Sequence, residues 1–424
     1  MIYKIAGVGL FLLQIVLIFS GVLFFGKYLN PILLLVISAA IPSLFIWLHL
    51  RSTTQPDWKY TPVFWQKAVW AFGGLLSVLV TYEEFRKACI KFNEPEKISD
   101  IITQVRTLFE RFTNNEFPYT AIDIVGSHIL QPIYMPLHWL PAGIATMFDL
   151  DIRWAGYILF AIAVTIFGWL LTSIKAQLGM RIIALLLPSI TLWAFIIKAP
   201  ADIMVSYELV VAAYYLLLAA GLATGRLWIV VVGIILCLLS RYTLVFWLPL
   251  FALLFFQEYK WKKSLLVGGV ILAAFVLIFI IPFYMRDTEL LHRGLSHYKG
   301  ATVAEWTGYG DPPTSWTQEN GITLAAHMKA FFTDEMAQRV ANARLIQGAV
   351  LLLLFGAGLV AYQRWKHKID IYTFSLIALY CFMFCYYFFA PLTFRYYYFS
   401  LIVVSAVVCG KLVLLQKPKA EGSQ

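Results

Sequence analysis

The stretch that decides the fold runs from residue 203 to 257, IMVSYELVVAAYYLLLAAGLATGRLWIVVVGIILCLLSRYTLVFWLPLFALLFFQ, in which the only charges are Glu208, Arg226 and Arg241. A helix needs about 17 to 25 apolar residues to cross a bilayer, so this run is too long for one span and too apolar for a water-soluble core. Gly225-Arg226 divides it once, and Ser240-Arg241 divides it again, because a lone arginine at mid-membrane is costly. Three spans follow, at 203–223, 226–240 and 242–257.

Working outward, comparable runs lie at 5–26, 31–49, 67–82, 154–174 and 181–198 before it, and at 264–284, 345–362, 371–390 and 396–415 after it. The sequence therefore predicts an all-α membrane protein of about twelve transmembrane helices. The chain has 424 residues, 61% of them hydrophobic and 13% charged, where a soluble domain has roughly 45 to 50% apolar residues. Trp58, Trp65, Trp139, Trp154, Trp261 and Trp365 stand beside the ends of apolar runs, where an amphipathic ring suits the headgroup layer. The first run lacks a small-residue cleavage pattern and reads as a retained span. A hairpin with its following loop (1–66), a core (67–415) and a tail (416–424) make up the expected organisation. Two large connections, 86–152 and 286–344, are expected on the outer face, each containing short amphipathic helices.

The net charge of +10 would suggest nucleic acid in a soluble protein, but its distribution explains it otherwise. With both termini cytoplasmic, the inner connections hold sixteen of the 33 Lys and Arg against four of the 23 acids, Asp57, Glu258, Asp370 and Glu421. That is the positive-inside bias, and it leaves no reason to invoke nucleic acid as a partner. Of the five cysteines, Cys381 and Cys385 fall at helix spacing and form neither a disulfide framework nor a metal cluster. P-loop, dinucleotide GxGxxG, HExxH and GxSxG motifs are all absent.

Candidate chemistry concentrates in the outer connections. Asp100 opens a helix-like stretch in which Ile101, Ile102, Val105, Leu108, Phe109 and Phe112 share a face. Ser and Asp there either cap that helix, or Asp100 serves as a general base towards a hydroxyl or helps hold a divalent cation such as Mg or Mn. Asp123 is a second loop carboxylate. In HILQPIYMPLHWLPAGIA (128–145), Pro132, Pro136 and Pro141 prevent one continuous helix and favour an interfacial turn. His128, Tyr134 and His138 then either face a lipid-linked substrate or pack at the interface. Lys198, Arg241, Arg286, His292, Arg293 and Arg395 lie at outer ends of spans. They either snorkel to headgroups or, the arginines above all, offer a planar fork to phosphate oxygens. Arg241 has the least polar surroundings. Tyr396, Tyr397 and Tyr398 beside Arg395 suit a sugar or lipid contact, Asp202 is an inward acid, and Glu208 needs a partner or a water path.

Asp100 soon after an early span, followed by a helix that ends in Glu116-Phe-Pro-Tyr119, resembles the first outer loop of GT-C superfamily glycosyltransferases, especially the polyprenyl-phosphate-mannose-dependent type. Tyr134-Met-Pro136 with Leu140-Pro141 is similar to that loop's Y-P-P…P-L element, and Phe394-Arg395-Tyr396 to the RY before a final span. Asn114, Asn115 and Glu116 replace the family's usual glycine, and one proline of the pair, Pro136, is present. The resemblance implies a mannosyltransferase-like membrane enzyme, in a bacterial inner membrane, that takes a sugar from a polyprenyl-phosphate donor. The acceptor would be a glycan or glycolipid of the cell envelope, Asp100 the catalytic acid, and Arg241 and Arg395 the donor-phosphate contacts. Two other readings stand beside it. An O-antigen polymerase or ligase would rely on Arg286, His292 and Arg293, and a transporter or flippase of lipid-linked or anionic solutes would show broken helices related by internal symmetry.

Overall fold

The computed structural model describes residues 2–25, 31–52, 62–95, 99–124, 128–308 and 322–415. Residues 309–321 of the second outer connection and the tail lie outside the described residues. Lipid offers no partners to backbone amides and carbonyls, so the apolar runs close their hydrogen bonds internally as helices. In chain order these are α1 (Ile2–Phe25), α2 (Pro31–Ser52), α3 (Phe64–Leu79), α4 (Tyr82–Lys91), α5 (Asp100–Thr113), α6 (Pro136–Trp139) and α7 (Ala142–Thr146). There follow α8 (Arg153–Leu171), α9 (Leu178–Lys198), α10 (Pro200–Met204), α11 (Glu208–Thr224), α12 (Leu227–Leu238), α13 (Leu248–Glu258) and α14 (Trp261–Phe275). The last are α15 (Leu290–Gly308), α16 (Ala325–Phe331), α17 (Met336–Trp365), α18 (Ile371–Phe388) and α19 (Tyr397–Leu414).

Among the described residues, nine helices are long and apolar enough to cross a membrane. Three further apolar helices, α11, α12 and α13, are shorter and coincide with the expected runs at 203–223, 226–240 and 242–257. Nine of the expected runs thus carry helices of spanning length and three carry shorter ones, because hydropathy counts apolar residues and does not see where the helix stops. Leu239 to Trp247 leave the α-helical path, with a tight turn at Tyr242–Phe246, and Pro200 starts a five-residue helix before α11 begins.

Other boundaries differ for identifiable reasons. The run at 67–82 extends through a turn at Val80-Thr81 into α4. Much of the 286–344 connection is the helix α15, and α17 begins at Met336, ahead of its apolar part. Past Phe275, α14 continues as a π-helix over Val276–Tyr284, with Pro282 inside it. An antiparallel ladder of Ile122–Ile124 with His128–Leu130 is a small exception to the all-α expectation.

The core is built around the last helix. Every residue of α19 is buried, surrounded by α1, α2, α9, α11 and α18. The hairpin α1–α2 packs on this core, and Gln14 donates to the Tyr380 hydroxyl at 2.9 Å. In contrast, Phe279 and Phe283 are the buried residues of the Trp261–Tyr284 span, and Val340, Ala343, Leu351 and Tyr362 those of Met336–Trp365. Leu272, Leu277, Leu352 and Leu353 stand outward, as a lipid-facing surface requires. Between spans the contact is steric, because lipid is as apolar as leucine and only close packing gains energy. At α3 against α8, a Cβ on Gly168 would come within 2.3 Å of the Trp70 carbonyl oxygen, and one on Gly74 within 2.7 Å of that of Val164.

Candidate functional site

Two of the three charges in the 203–257 stretch find each other. Glu208 is the first residue of α11 and is fully buried, and Arg241 precedes the tight turn after α12. Their side chains form an ion pair. Neither charge fits lipid alone, and pairing offsets the two. The Arg241 guanidinium carbon lies 4.6 Å from the Tyr397 ring centre and 5.7 Å from that of Tyr134, so tyrosine faces flank the cation. Tyr298, from α15, reaches the Tyr397 hydroxyl at 3.5 Å.

The proline-rich segment is what brings Tyr134 there. Its backbone is fastened to the α11–α12 region by Leu137 N to Leu239 O (2.8 Å), Tyr214 Oη to Leu137 O (3.0 Å) and Tyr242 Oη to Ile133 O (2.9 Å). The Tyr119 hydroxyl donates to the Tyr134 carbonyl at 2.9 Å and accepts from the Trp139 indole at 3.2 Å. Phe112, Tyr119, Trp139 and Phe283 form an aromatic knot with ring centres 5.4 to 6.3 Å apart. This knot ties α5 and the segment after it to the π-helical end of the α14 span.

Asp100 is the first residue of α5 and is half-buried. The capping hydrogen bond belongs to Ser99, whose Oγ accepts from Ile101 N at 3.2 Å. A carboxylate in the first turn also suits the positive end of the helix dipole. Asp100 and Arg241 both act on Tyr134: burial, first of all, pushes that hydroxyl up to about 12, Arg241 opposes the shift and the Asp100 charge adds to it. The acid and the guanidinium thus lie within electrostatic reach of one tyrosine.

Arg395, between α18 and α19, pairs with Asp202 of α10. Both acids of the α9–α11 break therefore hold an arginine from elsewhere in the chain. Tyr396 is buried and stacks on Phe394, ring centres 5.2 Å apart, with its neighbour Tyr397 edge-on at 4.7 Å. The loop that carries them is clamped by the α15–α16 unit: Trp306 Nε1 donates to Pro391 O at 2.7 Å, and Tyr398 Oη to Ile322 O at 2.9 Å.

The remaining sequence candidates sit as follows. His138, expected at an interface, is fully enclosed, its ring 4.1 Å from Tyr134 and 5.8 Å from Tyr207. Burial, and then the Arg241 charge, hold it well below the usual imidazole range, so it is neutral. His128 lies in the short ladder, and its side chain is outside the described part. Arg286 and His292 are exposed beyond the cluster, and Arg293 is paired with Asp287. Asp123 is exposed on the ladder. No group of three or more His, Cys, Asp or Glu able to hold a metal occurs among the described residues. Tyr298 carries no signal in the sequence, since nothing local separates it from any other polar-helix tyrosine. Set against protein families, curated proteins and solved structures, the chain matches none of them.

Proposed function

We propose that this chain is a membrane glycosyltransferase that takes a sugar from a polyprenyl-phosphate donor and passes it to a glycan or glycolipid acceptor at the outer face. In this reading α11, α12 and α13 complete twelve crossings, both termini are cytoplasmic, and the 86–152 and 286–344 connections are external. The observation that carries it is the cluster of Arg241, Tyr134 and Tyr397, with the Asp100 charge acting on the same Tyr134, at the end of the bundle where the large connections meet. A guanidinium stacked between tyrosines suits an anionic headgroup, flanking aromatic faces suit a sugar, and a half-buried carboxylate is placed to accept a proton.

The donor chain lies among the spans while its phosphate meets Arg241 and Arg395. Asp100 removes the acceptor hydroxyl proton as that oxygen bonds to the anomeric carbon. The carbon–oxygen bond to phosphate breaks, its electron pair leaves on the lipid phosphate, and the guanidinium groups stabilise that charge. One displacement inverts the donor linkage. The test is turnover of polyprenyl-phosphate mannose by the purified protein in nanodiscs with envelope glycan acceptor. Asp100→Asn and Asp100→Ala are expected to lose at least a hundredfold, the usual scale for removing a general base, while remaining folded. Undiminished turnover in either variant refutes the assignment.

A further inference from the structure

We infer that Glu208 is a positioning residue that competes with the lipid phosphate for Arg241, so that the resting guanidinium is charge-matched and the site releases its product. The inference rests on the glycosyltransferase reading and concerns the same guanidinium. Glu208 is fully buried, whereas the Arg241 side chain keeps 13% of its surface accessible. Arg241 Nη2 donates to Glu208 Oε1, yet Arg241 Nε and Glu208 Oε2 are both enclosed without a hydrogen-bond partner among the described residues.

The pair is therefore not the two-pronged fork that arginine and carboxylate make at their best. A phosphate, with more oxygens and greater charge, can approach the 13% of the Arg241 side chain that stays accessible and draw the guanidinium from its one-bond pair. When Arg241 turns to phosphate, Glu208 remains at the start of the 17-residue α11, where the helix dipole favours an anion. The acid can thus let go of its arginine without being left as a bare charge in lipid.

Two carboxylates, Glu208 and Asp202, match two guanidiniums, Arg241 and Arg395. A site with unmatched arginines would hold the leaving polyprenyl phosphate as tightly as the donor. The matched site makes every phosphate displace a carboxylate, which lowers affinity for substrate and product alike and keeps turnover from stalling on release.

The test is equilibrium binding of polyprenyl phosphate, and separately of inorganic phosphate, to the full-length protein in nanodiscs. Glu208→Gln keeps shape and hydrogen bond but removes the charge. It is expected to tighten polyprenyl phosphate binding roughly tenfold, and to lower KM and kcat together, a split that simple loss of structure does not give. Glu208→Asp, which keeps the charge, is expected to stay near wild-type affinity. Tightening with the lipid alone assigns the lipid headgroup, tightening with both ligands assigns the phosphate group itself, and either supports the inference. Equal or weaker binding by a folded Glu208→Gln overturns it. If the wild type binds no polyprenyl phosphate at all, the glycosyltransferase reading fails first. Should Glu208→Gln not fold, an experimental structure of the wild type with polyprenyl phosphate decides: the Arg241–Glu208 pair open and the guanidinium on phosphate supports the inference, and an intact pair overturns it.

Discussion

Replacing Gly168 by alanine tests the packing on which the bundle depends. The added Cβ would stand 2.3 Å from the Trp70 carbonyl oxygen, whereas ordinary contact begins at 3.4 Å, so α3 and α8 must part by about an ångström. The obstructing atom is backbone and cannot rotate aside. Overpacking of this kind costs about 1 to 3 kcal/mol, and a rigid obstacle belongs at the upper end. Alanine returns about 0.5 to 1 kcal/mol as the better helix former. A net loss of about 2 kcal/mol follows, roughly thirtyfold in the folding equilibrium. On α9, a Cβ added at Gly179 would meet nothing within 4 Å, so Gly179→Ala should be neutral or stabilising. Unfolding of both variants in one detergent, followed by tryptophan fluorescence, makes the comparison. Because α3 runs on into α4 and towards Asp100, Gly168→Ala should also reduce turnover. Wild-type or better stability for Gly168→Ala would refute the claim that backbone proximity holds these helices together.

Three further outcomes are expected. Burial alone would raise the Asp151 carboxyl, but the hydrogen bonds and charge of Arg153 outweigh it and hold Asp151 below the usual carboxylate range. A depressed carboxylate contributes stability above its unfolded value, near 3.9, and loses it as pH falls through the folded one. Asp151→Asn should therefore cost about 2 kcal/mol at neutral pH, and the gap to wild type should close in acid below about pH 4; a gap that persists at lower pH would exclude the charge as its cause. Removing the Phe283 ring empties the centre of the aromatic knot and should cost about 3 to 5 kcal/mol, with limited proteolysis of the 99–140 segment rising in step. Tyr119→Phe removes the hydroxyl shared by the Trp139 indole and the Tyr134 carbonyl, and should cost about 1 to 2 kcal/mol in thermal unfolding.

Much of the helical framework was legible from apolar run length alone. Each expected run carries an apolar helix, because lipid enforces internal hydrogen bonding whatever the tertiary context. The face of α5 was legible too: Ile101, Ile102, Val105 and Leu108 are buried together, as their spacing required. The division at Ser240-Arg241 was legible as well, but the late start of α11 after the short helix from Pro200 and the turn at Tyr242–Phe246 before α13 were not, since they shorten helices without altering hydropathy. In the candidate site, Glu208 and Arg241 announced themselves as charges in an apolar run, and that signal was enough to ask for partners. Which acid joins which arginine was not readable, because Asp202 and Arg395 lie 193 positions apart. The enclosure of His138 and the approach of Tyr298 depend on how α15 and the proline segment fold back, and no local pattern encodes that.

The helix at the centre of the bundle follows all of its packing partners in chain order. Until α19 emerges, α1, α9 and α11 have no common partner, and Asp202 has no arginine. Glu208 and Arg241, 33 positions apart, can meet as soon as α11 and α12 enter together, which favours their insertion as one hairpin over passage of either charge alone. A chain that has made α11 but not yet α19 therefore carries an open seam and an acid whose arginine is still to come.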